Sequence, residues 1–314
     1  MSDETPERSE GLDELAGLDE LATEAVDDRG LMLDELTVAD LVELMNDRDA
    51  TIAGAVRTAL PTITAAIAAT VERMREGGRL IYAGAGTSGR LGVLDASEVP
   101  PTFGTAGDVV VGLIAGGPRA IVSSVESAED SAQTGAADVD GLGVGPLDTV
   151  VGIASSGRTP YVLGAVARAA EAGALTVGLS CNLDTPLSAA TDHGIEIPVG
   201  PEIVAGSTRL GAGTATKMVL NMFSTVSMVQ LGKTYQTLMV DVRATNAKLV
   251  RRAVRIVTLA TGVDDDTARQ TLDAADWHAK LAIAMISTGL DADEARRALD
   301  AAGGRLRAVI EERG

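Results

Sequence analysis

The run Leu80-Ile81-Tyr82-Ala83-Gly84-Ala85-Gly86-Thr87-Ser88-Gly89-Arg90 decides how this chain is read. Its short apolar start suits a strand covered on both faces, because a half-exposed strand would alternate with polar residues. Glycine then lets the chain turn sharply, and Thr87, Ser88 and Gly89 open a helix. Such a strand-to-helix junction offers free backbone N–H groups at the positive end of a helix dipole, which suits a phosphate. The turn is not a dinucleotide fingerprint, since Gly84-Ala85-Gly86 lacks a third glycine at the required place. Nor is it a Walker loop, since no Gly-Lys-Ser/Thr follows.

Outward from this turn the pattern repeats. Apolar runs at 109–114, 149–153 and 175–179 read as further strands, and 195–199, more polar and containing Pro198, suits a sheet edge. Helical stretches at 118–135, 160–173 and 209–232 separate them. Strands alternating with helices give an α/β fold: a doubly wound, mainly parallel five-stranded sheet with flanking helices and right-handed crossovers. Ligands of such sheets sit beyond the carboxyl ends of the strands. Ahead of the sheet, the spacing predicts a short helix over 34–45 and a longer one over 52–76, stopped by Gly77-Gly78. Beyond it, one amphipathic helix is expected over 241–261. Three shorter ones follow over 265–275, 277–288 and 292–312, with Asp264 and Asp291 as caps and a break at Gly303-Gly304. The expected division is an acidic, partly mobile segment 1–35, an α/β domain with its N-terminal helices over 36–240, and a helical region 241–314. The last holds a three-helix module similar to small ubiquitin-associated domains.

A second turn, Ala154-Ser155-Ser156-Gly157-Arg158-Thr159-Pro160, also follows a strand and repeats the Ser-Gly-Arg of the first. Alone, either turn is an ordinary α/β connection; as a pair, both rich in hydroxyls, they point to phosphate. The candidate phosphate ligands are Thr87, Ser88, Gly89, Ser155, Ser156, Gly157 and Thr159, with Arg90 and Arg158 as charged contributors. Glu98 precedes Pro100-Pro101, which are expected to turn the chain just after it. Glu126 and Glu129 stand at helical i, i+3 spacing. The only histidines are His193 and His278, far apart, and with one cysteine no metal site of the usual type and no histidine-based triad can be built. Proton transfer therefore falls to carboxylates, with Lys and Tyr as lesser candidates.

The 314 residues are 46% hydrophobic and 23% charged but only 2% aromatic, so Ala, Val, Leu and Ile must build the core. A net charge of −19 tells against nucleic acid or an anionic membrane as partner. The cations are four lysines (Lys217, Lys233, Lys248, Lys280) against 22 arginines, which fits adaptation to high salt or a high-GC genome. A single cysteine, Cys181, rules out an intrachain disulfide and reads as a strand-end residue. No signal peptide is evident and no apolar run approaches the length of about 20 residues that crosses a bilayer, so the cytoplasm is the expected compartment.

Several stretches together resemble the N-acetylmuramic acid 6-phosphate etherases of the SIS phosphosugar-binding superfamily. They are Gly78–Tyr82, Gly84–Gly92, Leu94-Asp95-Ala96-Ser97-Glu98, Val111–Gly117, Ala128-Glu129-Asp130-Ser131, Ser156–Val162, and Leu238–Val242 with Ala244-Thr245-Asn246. The resemblance runs from about Leu44 to Ile310. It implies a SIS fold and cleavage of the D-lactyl ether by elimination across C2–C3 of the open-chain sugar and then water addition. No cofactor is implied, because the C1 aldehyde acidifies the C2 proton. It further implies that Glu98 protonates the departing lactate oxygen, that Glu129 assists as base, and that a homodimer places sites at the subunit interface. Two departures stand out: Thr23-Glu24-Ala25-Val26-Asp27-Asp28 keeps only a trace of the family's Thr-Glu-x-x-Asn-Pro pattern, and Gly211 stands where the family has lysine. The competing readings are a non-catalytic phosphosugar sensor, such as the regulatory protein of glucokinase, and an isomerase or deaminase acting on another 6-phosphosugar.

Overall fold

The computed structural model describes residues 21–26, 32–125, 127–241 and 247–313. The expected acidic segment 1–35 falls largely outside these, as do Glu126 and residues 242–246.

Two helices precede the sheet, α1 (Val38–Thr58) and α2 (Leu60–Arg75). Thr37 and Asp40 form a reciprocal capping box at the start of α1. The break falls at Ala59, not over 46–51 as expected. Pro61 in the first turn of α2 has no N–H and its ring would clash with the preceding turn, so α1 cannot run on. The polar stretch around Arg48 stays helical, and the Arg48 guanidinium donates to the carbonyls of Val199 and Pro201.

The core then alternates β1 (Leu80–Gly84), α3 (Gly86–Phe103), β2 (Val110–Ile114), α4 (Arg119–Val122), α5 (Ala132–Gly141), β3 (Thr149–Ile153), α6 (Pro160–Glu171), β4 (Leu175–Ser180), α7 (Pro186–Ala189), β5 (His193–Glu196) and α8 (Gly211–Gln230). The five strands are all parallel, in the order β2-β1-β3-β4-β5. β5 is an edge, as expected, but ends ahead of Pro198. The chain leaves β1 toward β2 and returns on its other side at β3. The crevice beyond β1 and β3 is therefore the topological switch point, where such sheets bind ligands.

Two helices differ from expectation. The stretch 118–135 is not one helix: 123–125 and 127–131 are irregular, Ser127 has φ +57°, and Ser131 caps α5 by accepting from the Thr134 N–H. Helix α3 runs through Pro100 and Pro101 to Gly104, whose φ of +64° ends it. The prolines fall in the last turn, so α3 gives up two N–H donors just before it ends. There the Thr102 hydroxyl donates to the Glu98 carbonyl (2.7 Å) and the Gly104 N–H to Pro100 (2.9 Å).

After α8 come a small hairpin, β6 (Thr234–Tyr235) and β7 (Leu238–Met239), and helices α9 (Ala247–Thr261), α10 (Asp265–Ala274), α11 (Ala279–Thr288), α12 (Ala292–Ala301) and α13 (Leu306–Arg313). The hairpin occupies sequence just before the start expected for the 241–261 helix. Asp264 and Asp291 cap α10 and α12 as expected. Asp276 and Trp277, with φ of +51° and +58°, delay the start of α11. Apolar side chains from Ile52 to Met228 form the main core beside the sheet, while Val240, Val257, Leu272, Ile283, Leu299 and Val309 belong to a separate cluster. No single helix among the described residues is long and apolar enough to cross a membrane.

Candidate active site

A cleft of about 420 Å³ opens at the switch point. The β1–α3 turn supplies Gly86, Thr87 and Ser88, and the β3–α6 turn supplies Ser155, Ser156, Arg158 and Thr159. Glu129 and Asp130 come from the irregular stretch before α5. Thr208 and Glu24 complete the wall.

The two Ser-Gly-Arg turns look alike in sequence but do different work. No side chain caps α3, and its first ladder bond runs from the Gly89 N–H to Ala85 (3.1 Å). The N–H groups of the preceding residues lie ahead of that ladder, which leaves an open helix end facing the cleft. α6 is closed instead. It begins at Pro160, which has no N–H, and the next amide, Tyr161, donates to the Glu129 carbonyl (2.9 Å). The second turn therefore contributes hydroxyls and a guanidinium, and its helix end holds Glu129 in place.

The glycines of these turns serve packing. A Cβ on Gly89 would sit 2.6 Å from the Gly84 carbonyl oxygen and 2.7 Å from Ile114, so glycine there lets α3 lie on the sheet. Gly157 has φ +68°, and a Cβ would overlap Thr185. Neither residue lines the cleft.

The arginines also part company. Arg90 donates to the carbonyls of Ile121 (3.1 Å) and Ser123 (3.3 Å) and so braces the strand-to-helix connection. Arg158 lines the cleft, and its Nε is buried without a hydrogen-bond partner. It is the one cationic side chain in the wall among the described residues. A buried N–H without a partner is costly, which suits an anion that completes it.

Of the two expected carboxylates, the cleft contains Glu129 and not Glu98. Glu98 lies on α3 ten residues beyond Ser88, about 15 Å along the helix axis. It is exposed there, on a stripe with Arg90 and Leu94, and Leu94 is 53% exposed. The aspartate of Asp95-Ala96-Ser97-Glu98 points the other way. Asp95 is buried and accepts from the Tyr82 hydroxyl (2.8 Å), Asn221 Nδ2 (2.6 Å) and the Ser224 hydroxyl (3.1 Å), joining α3 to β1 and α8. Burial raises its pKa above the usual carboxylate value despite these donors.

Gly211 starts α8 outside the cleft. Its N–H and that of Ala212 each donate at 2.9 Å to Glu202, a buried carboxylate that caps the helix. A Cβ there would stand 3.1 Å from Glu202 Oε2 and 3.2 Å from Ile52. The lysine missing at this position would therefore extend from the Glu202 cap, not from the cleft wall. Cys181 follows β4, fully buried, and burial pushes its thiol up to about 12, as befits a structural residue. Among the described residues no three or more His, Cys, Asp or Glu side chains gather to hold a metal ion.

Glu24 and Thr208 are the site residues that sequence reasoning missed. Their only signal lay in Thr23-Glu24 and Gly206-Ser207-Thr208-Arg209, fragments without periodicity.

Family models place SIS-type sequence across this site: the glucokinase regulatory protein N-terminal SIS domain matches residues 62–170, and the SIS domain matches 132–227. The N-acetylmuramic acid 6-phosphate etherase of Streptomyces avermitilis is 57% identical over 94% of this chain and 95% of its own. This chain belongs to the N-acetylmuramic acid 6-phosphate etherase family. The etherase of Mycolicibacterium smegmatis agrees, at 56% identity over 93% of this chain and 98% of its own. Among solved structures, a phosphoheptose isomerase from Francisella tularensis has the same SIS fold, with a TM-score of 0.50 at 18% identity. It covers 62% of this chain and 100% of its own.

Proposed function

We propose that this chain cleaves the D-lactyl ether of N-acetylmuramic acid 6-phosphate, giving N-acetylglucosamine 6-phosphate and D-lactate. Membership of the etherase family supports the reaction, and one observation supports its location. The open end of α3, the unpaired Arg158 Nε and the Glu129 carboxylate share a single cleft at the switch point.

In this reading the 6-phosphate sits against the N–H groups of α3, with the Thr87, Ser88, Ser155, Ser156 and Thr159 hydroxyls and Arg158 around it. The ring opens to expose the C1 aldehyde, which acidifies the C2 proton. Glu129 takes that proton, the C3–O bond breaks, and the lactate oxygen leaves with a proton. Water then adds at C3 of the unsaturated aldehyde, so atoms balance as a net hydrolysis. No step calls for a metal or an organic cofactor.

Glu98 is the proton donor to the leaving oxygen, supplied by the second subunit of a homodimer. Three things support this arrangement. Glu98 is too far from the cleft of its own chain. Leu94, Ile121 (40% exposed) and Val122 (86% exposed) give its neighbourhood an apolar face of the kind a subunit contact covers. The cleft also holds three carboxylates against one arginine, so an anionic substrate gains from groups brought in by a second chain. The reaction belongs in the cytoplasm. Release of D-lactate by the purified protein tests the reading.

A further inference from the structure

Among the described residues, the cleft carboxylate of Glu24 has no part in that chemistry. Glu24 sits on a short turn held from three sides. Thr23 beside it is fully buried, and its N–H donates to Asn182 Oδ1 (3.4 Å). Asn182 Nδ2 donates in turn to the Thr23 hydroxyl (3.0 Å) and to the Ser155 carbonyl (2.9 Å), so one amide joins this turn to the second phosphate turn. From the far side the Gly206 N–H donates to the Thr23 carbonyl (3.2 Å). Leu21 is buried beneath. The carboxylate itself is exposed toward the cleft, alongside Thr208. Gly206 leaves room for it: with φ +74°, a Cβ at this position would lie 2.7 Å from Glu24 Oε2.

An ionised carboxylate only accepts hydrogen bonds. It repels a phosphate or a lactyl carboxylate, so in a cleft for an anionic sugar its partners are the neutral donors of the ligand, its hydroxyl and amide N–H groups. We infer that Glu24 is a sugar-positioning residue, accepting a hydrogen bond from a hydroxyl or acetamido N–H of the bound amino sugar phosphate and setting specificity for the sugar over bare phosphate. This rests on the proposed reading of the cleft for its substrate class, but it concerns binding and stands apart from catalysis.

The test uses the full chain and two probes, N-acetylglucosamine 6-phosphate and inorganic phosphate, titrated by calorimetry against wild type, Glu24→Gln and Glu24→Ala. Losing a hydrogen bond to a charged group is expected to weaken the amino sugar phosphate about 10- to 100-fold in Glu24→Ala, and less in Glu24→Gln, which keeps an acceptor. Affinity for inorganic phosphate is expected to hold or rise slightly, since a negative charge has gone. Gly206→Ala, which crowds the carboxylate, should follow Glu24→Ala. A parallel loss of both probes would mark Glu24 as a mere support for the cleft and overturn the inference, as would unchanged affinity for the sugar phosphate. A D-lactate assay on the same samples keeps the two claims separate: absence of release in wild type defeats the etherase reading, while the ratio of the two affinities decides Glu24.

Discussion

The main-chain N–H of Tyr161 donates to the carbonyl of Glu129 across 2.9 Å. The relationship explains why a carboxylate on an irregular stretch has a defined place. Pro160 gives α6 a first residue with no N–H, so the Tyr161 amide is the first donor of that helix, and Glu129 takes it. The backbone of Glu129 is therefore tied to the start of α6, just after the second Ser-Gly-Arg turn.

Glu129→Gln keeps this backbone bond and removes only the carboxylate proposed as the base. D-lactate release is expected to fall about 10²- to 10⁴-fold, the range of a lost general base. Circular dichroism and melting temperature should match wild type.

Glu98→Ala is expected to be as inactive as Glu129→Ala, and the two together test the composite site. Mixing the variants with subunit exchange gives hybrids in which one of two sites has both glutamates. Random pairing restores about a quarter of wild-type activity. If both residues served the same chain, the mixture would stay inactive.

Arg158→Ala removes the one cation of the cleft wall among the described residues. The Michaelis constant should rise about 10- to 100-fold, with a smaller change in turnover, as expected for a charge-assisted contact to phosphate. Arg90→Ala should leave the Michaelis constant close to wild type, because Arg90 braces carbonyls outside the cleft.

Asp148 links the start of β1 to that of β3. It accepts from the Arg79 backbone N–H (2.9 Å), from Arg79 Nη2 (2.7 Å) and from the Gly145 N–H (3.0 Å). Burial alone would raise its pKa, but the Arg79 and Gly145 donors outweigh it and hold the carboxyl below its ordinary value. The contribution to stability is therefore complete above the unfolded carboxylate value of about 4 and is lost as pH falls through the lower folded value. Asp148→Asn should cost about 2 kcal/mol at neutral pH, a figure kept low because Arg79 is a quarter exposed. The difference in melting temperature from wild type should shrink as the pH is lowered below 4.

Much of the sheet was legible because its strands are continuous apolar runs bounded by glycine, as buried parallel strands must be. The first turn was legible for the same reason, as was the pair of aspartate caps at 264 and 291. The helix break at Ala59 was not, since Pro61 is two residues into α2, where proline is as welcome as in a helix start. Pro100 and Pro101 misled in the opposite sense, since α3 runs through them to Gly104 at the cost of two N–H donors. Glu129, read at helical spacing, lies instead on an irregular stretch after Ser127 at positive φ. Glu24, quoted only as a trace of the family pattern, was not assigned to the site because its place depends on Asn182 and Gly206, more than 150 residues away, and no local pattern records such a contact.

The most direct measurement is D-lactate release from N-acetylmuramic acid 6-phosphate by purified wild-type protein beside Glu129→Gln, in low and in molar salt. Release by the wild type and its loss in the variant is the expected result. Folded protein that binds the sugar phosphate and releases no D-lactate in either salt would contradict the account.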